Sequence, residues 1–235
     1  MFGTDYLDSA PPVPATRPGF TPWPLWATAA GVLGLVSLLS QTRVDADGAA
    51  HGGPATADAV AELGNASFRV AGILGYLAAF CLLVLAAMWH QRVARHFPSS
   101  AAAHLVTYSV VSASALATLA FGWRAALGDY LPGGAEAGSY DDHGLFVYYV
   151  LNDFSPYLAF VPLLGTCFGL AWMAFGDRLV SLTLGAAAGA FATVMFIGVA
   201  LTGVSSLPTL VLAALVVVGI WLAVGRSPIT TEWPN

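Results

Sequence analysis

Lysine is absent from this chain, and charge of either sign is scarce: eight arginines and thirteen acids make only 9% of 235 residues charged. With 57% hydrophobic residues and a mean hydropathy of +0.74, the chain has too little polar surface to enclose its apolar side chains in one soluble core. Lipid must be part of its solvent. The missing lysine excludes Schiff-base chemistry on that side chain, and the exclusive use of arginine is what a high-GC prokaryotic genome produces. A net charge of −5 leaves no basic patch of the kind that nucleic acid requires, so nucleic acid is excluded as a partner.

Cysteine is nearly absent as well. Cys81 and Cys167 each sit in the middle of an apolar run, where a free thiol behaves as a small hydrophobe, and there is no cysteine framework for a disulfide-held fold. The chain contains no G-x-S-x-G, H-E-x-x-H, Walker loop or paired C-x-x-C. Nothing therefore points to catalysis, and no cofactor is expected.

Long apolar runs are what the chain does have. Six segments, 22–40, 70–90, 101–123, 156–175, 179–201 and 206–224, are long enough to cross ~30 Å of hydrocarbon as helices. The first has a long leader that carries acids as well as Arg17, and no small-residue cleavage site follows closely, so it is expected to stay as a span. Arginines near span ends resist translocation. With the N-terminus inside, Arg17, Arg92, Arg95, Arg178 and Arg226 are cytoplasmic, and Arg43, Arg69 and Arg124 are outside. The acids run the other way: Asp45, Asp47, Asp58, Glu62, Asp129, Glu136, Asp141, Asp142 and Asp153 fall outside, and Asp5, Asp8, Asp177 and Glu232 inside.

The expected architecture is an all-α, six-span transmembrane bundle in the cell membrane, N-in and C-in. Residues 1–21 and 227–235 form cytoplasmic tails, and residues 22–226 form the membrane domain. Two long outer loops, 41–69 and 124–155, build an acidic cap. Short inner connections make spans two and three, and spans four and five, antiparallel neighbours. Gly165 and Gly169 form a G-x-x-x-G in span four, and Ser181, Gly185, Gly189 and Thr193 form a small-residue row in span five. Both rows are expected to seat four against five; a homo-oligomer contact is the alternative. Span three carries Thr107, Ser109, Ser112, Ser114 and Thr118, expected to bond between helices.

Candidate sites gather at the cap. In GSYDDHGLFVYYVLNDFSP, residues 138–156, the stretch 144–151 is expected to rest at the outer interface, with its tyrosines at headgroup level. Were residues 144–175 one helix, they would extend ~48 Å, far beyond the hydrocarbon. Ser155 before Pro156 therefore reads as the N-cap of span four, and Asp153 as a helix-start residue that pairs with Arg124; Asp129 is the other carboxylate within that arginine's expected reach. Arg69 and Arg124, at the ends of spans two and three, are placed to hold an anionic ligand or lipid headgroup if they do not pair with these acids. Asp141 and His143, with Asp153 or His51, are the metal candidates, against a solvated acidic loop that includes Asp142. His90 and His104, which flank the inner loop with His96, are the haem candidates, against ordinary interfacial histidine.

The segment ATADAVAELGNASFRVAGILGYLAAFCLLVLAAMWHQRV, residues 55–93, runs from an outer loop through a short Ala/Leu helix and Phe-Arg into a long span with an amphipathic tail. Over spans one to three this order resembles a bacterial six-helix integral membrane family of unknown function. The resemblance implies the six-span fold and no activity. From the residues themselves, the leading function is binding of a partner protein or small ligand through the acidic, aromatic cap. A passive pore beside span three and a metal- or haem-dependent membrane enzyme are the alternatives.

Overall fold

The protein, described by a computed structural model over residues 20–40, 56–202, 208–225 and 227–230, is built from helices, and no strand occurs among the described residues. Helix α1 spans Leu25–Leu39, α2 Ala57–Ala61, α3 Asn65–Trp89 and α4 Ala101–Tyr130. They are followed by α5 Asp142–Phe154, α6 Phe160–Phe175, α7 Leu182–Thr202 and α8 Pro208–Val224. A π-helical turn, His90–Ala94, prolongs α3, and a 3₁₀ turn, Ser155–Tyr157, joins α5 to α6. Four stretches are long and apolar enough to cross a membrane: Asn65–Ala94, Ala101–Tyr130, Asp142–Phe175 and Leu182–Thr202. Helices α1 and α8 are apolar but shorter. The N-terminal tail and most of the loop between α1 and α2, with Arg43, Asp45, Asp47 and His51, lie outside the described residues, as do Arg226 and Glu232.

Small residues decide who packs on whom. In lipid no hydrophobic force draws apolar helices together, so close backbone approach and dispersion must do it. A Cβ added to Gly72 would lie 2.8 Å from the Ala125 methyl, and one on Gly75 would lie 2.0 Å from the Phe121 ring, so α3 and α4 are in backbone-close contact. Gly31 meets Leu212 and Val216, and Gly219 meets Thr28, which seats α1 on α8. Gly185 faces the Ala174 methyl and Gly189 that of Ala171, so the small row of α7 seats it on α6 as expected. The G-x-x-x-G of α6 does something else: Gly165 meets Ser109 and Gly169 meets Val106, both on α4. One helix therefore presents glycines to one neighbour and alanines to the other. The result is a sequence of antiparallel contacts, α8 to α1 to α3 to α4 to α6 to α7, in which α6 and α8 meet only briefly.

The hydroxyls of α4 do not share one face. Ser114 Oγ donates across to the Ala79 carbonyl of α3 at 2.7 Å. Thr107 and Thr118 instead return their protons to carbonyls one turn back, Ala103 and Ser114, and Ser112 is exposed. Cys81 and Cys167 are buried, unbridged thiols.

At one end, Trp89 Nε1 donates to the Ala103 carbonyl at 3.0 Å and packs edge-on against Trp23, with ring centroids 5.8 Å apart. Ser100 caps α4 there and also donates its hydroxyl to the Asp177 carboxylate in the α6–α7 turn. At the other end a separate small core of Val60, Leu63, Phe68, Leu127, Leu131 and Leu145 joins α2, α3, α4 and α5 into a cap. Its turn between α4 and α5 needs left-handed backbone at Gly133 (φ +83°) and Gly138 (φ +85°), which glycine adopts without steric cost.

Candidate functional site

Helix α4 continues nearly two turns beyond the end expected near Trp123, and this places Arg124 inside a helix and not in a loop. The last turns of α4 are covered by α5 and α3, and the Arg124 side chain is fully buried, at 0% exposure. An unpaired guanidinium within a span costs roughly 2.5–3.5 kcal/mol on insertion scales, so such a group is expected to find partners. Arg124 Nε donates to Asn152 Oδ1 at 2.7 Å. Nη1 donates to both the Ser37 carbonyl and the Ser37 hydroxyl, each at 3.2 Å. That hydroxyl passes its own proton to the Ala71 carbonyl at 2.6 Å, leaving its lone pairs for the arginine. The guanidinium carbon also sits 5.5 Å from the centre of the Phe121 ring, within cation–π range. Nη2 is buried with no hydrogen-bond partner among the described residues. One side chain thus ties α1, α4 and α5 and keeps one nitrogen, Nη2, unspent.

The expected acids are not its hydrogen-bond partners. Asp153 is exposed and acts on Arg124 only as a nearby charge. Asp129 pairs with Arg69 instead, Nε to Oδ1 at 3.8 Å, with both side chains about half exposed; a pair so open to water contributes little. Asp153 is also not a helix-start residue. The N-cap at this point of the chain is Asp141, whose Oδ1 accepts from the Gly144 N–H at 2.9 Å, with Asp142 in the first turn where the helix dipole favours an acid. Residues 144–151 accordingly form the body of a helix that packs on α4 and α2.

The 34-residue run from Asp142 to Phe175 is interrupted by the 3₁₀ turn at Ser155–Tyr157. Pro156 has no N–H for the carbonyl of Asn152 four residues back. Ser155 supplies that donor twice, through its backbone N–H and through Oγ at 2.7 Å, so it bridges the break and is not the N-cap of a new helix.

Asn152 and Ser37 are the functional candidates that sequence reasoning passed over. The signal was periodicity: Leu145 and Asn152, two turns apart, are the buried residues of α5, and Ala27, Ala30, Gly34 and Ser37 follow one face of α1. Treating 144–151 as interfacial hid the first pattern.

Among the described residues no three of His, Cys, Asp and Glu gather closely enough to hold a metal ion. His143 is exposed beside the Asp141 cap. His90 is exposed on the π turn, and His104 lies with Nε2 3.3 Å from the Pro98 carbonyl and its ring stacked on Tyr108. Tyr130, Tyr140 and Tyr148 pack as a triangle on the cap, with centroids 4.7–5.4 Å apart.

A cleft lies beside the arginine, bounded by α1, α3, α4, α6 and α8 and lined almost entirely by apolar side chains. Phe121, under the guanidinium, and Ser155, bonded to Asn152, form part of its wall. The centre of a water molecule has about 40 Å³ to move in there, well below the roughly 300–1,000 Å³ of small-molecule sites, so an occupant enters only as the walls part. No protein-family model matches the chain, and neither the curated proteins nor the solved structures contain a match.

Proposed function

We propose that this chain is a six-span cell-membrane protein that binds a small ligand at the cap end of its bundle, with Arg124 as the group that anchors a negatively charged or strongly accepting part of the ligand. The six-span count is supported by the antiparallel seating of α1 against both α3 and α8. The segments that flank α1 and α8 meet at one end, where the Thr21 hydroxyl donates to the Thr230 carbonyl at 3.1 Å. The observation that carries the binding reading is the unspent Nη2 donor. A buried donor without a partner costs about 1–3 kcal/mol, and a ligand oxygen would recover that cost while adding a charge-assisted bond. Binding needs no catalytic group, in keeping with the absence of a catalytic motif.

The test is thermal melting of protein purified in a neutral detergent, titrated with acetate and with inorganic phosphate, with tetramethylammonium chloride as the cation control. At least one anion raises the midpoint saturably in the wild type, and Arg124→Lys, which keeps the charge but replaces the three-nitrogen fork with a single nitrogen, weakens that response at least tenfold. A melting point indifferent to both anions sinks the reading.

A further inference from the structure

We infer that the ligand of this site is a single-chain anionic amphiphile, its head held by Arg124 and its chain lying in the adjoining cleft, and that it arrives from the lipid and not from water. This inference rests on the reading of Arg124 as a ligand anchor and names the ligand class. Three observations carry it. The first is adjacency: the Phe121 ring is both the floor beneath the Arg124 guanidinium and a wall of the cleft, and Ser155 is at once a wall residue and a partner of Asn152. A ligand spanning both would put charge on the arginine and methylenes against Phe121, Pro156, Phe160 and Leu212.

The second is shape and lining. The cleft is apolar and narrow, with room for the centre of a water molecule over only about 40 Å³, which leaves no place for a fused ring system and takes a single chain only as its side chains part. It lies where α6 and α8 meet only briefly, and a chain entering sideways from the bilayer would pass between them. The third is charge. The described cap carries Asp58, Glu62, Asp129, Glu136, Asp141, Asp142 and Asp153 against Arg69 and Arg124. Such a field repels a small anion approaching through water, and it leaves the lipid side as the open route.

The experiment is native mass spectrometry of the full chain released from neutral detergent after equilibration with dodecanoate, dodecyl phosphate, dodecanol or dodecyltrimethylammonium, each below its micellar concentration. It is paired with the affinity series acetate, butanoate, hexanoate and octanoate read by melting. One copy of dodecanoate or dodecyl phosphate stays bound to the wild type, and whichever is retained more tightly identifies a carboxylate or a phosphate head. Dodecanol and the ammonium amphiphile are not retained. Affinity climbs along the acid series by up to about fourfold per methylene, the factor for a fully buried CH₂.

Ala159→Phe and, independently, Ala120→Leu fill the cleft. In whichever of them folds, the gain with chain length is abolished and the acetate response remains. Should short anions respond through Arg124 with no gain from a longer chain, the amphiphile is refuted and the anion site stands. Equal retention of all four amphiphiles, or retention unchanged in the filled variants, reduces the binding to nonspecific adhesion and overturns the inference. No response to any anion removes both readings.

Discussion

Arg124 and Asn152 meet as two fully enclosed side chains, Nε to Oδ1 at 2.7 Å, one near the end of a long membrane helix and the other in the last turn of the helix that covers it. Sharing a charge with a neutral amide avoids the desolvation of a second ion. Asn152→Ala is expected to cost about 1.5–3 kcal/mol, the range for a hydrogen bond to a charged group. Arg124→Ala should be similarly harmful, and the double variant should lose less than the sum, with a coupling of about 0.5–3 kcal/mol. Unfolding titrations of the four proteins in mixed micelles measure this directly. Strict additivity would mean that the bond contributes nothing.

Asp153→Ala is expected to fall within about 1 kcal/mol of the wild type, because this neighbour of Asn152 is exposed and acts on Arg124 only through solvent-screened charge. A loss as large as that of Asn152→Ala would restore the acid as the arginine's true partner.

Asp141→Ala removes the cap of α5 and should lower stability by about 0.5–2 kcal/mol. Asp141→Ser should recover most of it, since serine also accepts from the N–H groups of the first turn. A metal-binding role for the Asp141 and His143 pair predicts the reverse: serine would rescue nothing, and the metal content of the purified protein would fall with either substitution.

Gly185→Leu should loosen α7 from α6, because even its Cβ would fall 2.0 Å from the Ala174 methyl. Gly198→Leu, on the same helix but with open space around it, is the control. Thermal melting should separate the two by several degrees. Equal melting points would show that α7 is not held by this contact.

Single cysteines at Ser99 and Ala137, in a background lacking Cys81 and Cys167, lie at opposite ends of α4 and are both exposed in the wild type. An impermeant maleimide applied to intact cells should label position 137 and leave 99 untouched until the membrane is opened. Labelling of 99 first would invert the orientation and put the cap in the cytoplasm.

Composition and run length were sufficient to establish an all-helical chain with membrane-length segments, because hydrophobicity per residue is a local property and lipid imposes it everywhere along a span. The small-residue rows of Gly185 and Gly189 were legible for the same reason, although which neighbour Gly165 and Gly169 face was not: both sides of α6 carry small residues, and only the packing order selects α4. The partner of Arg124 was beyond the sequence altogether. Sequence proximity and opposite charge nominated Asp129 and Asp153, but the helix turns Asn152 inward and Asp153 outward, one residue and about 100° apart. Ser37, the other partner, is 87 positions away, brought there by the seating of α1 on α3. Which polar groups share a buried site depends on helix rotation and helix order, and both are set by contacts among residues distant in the chain.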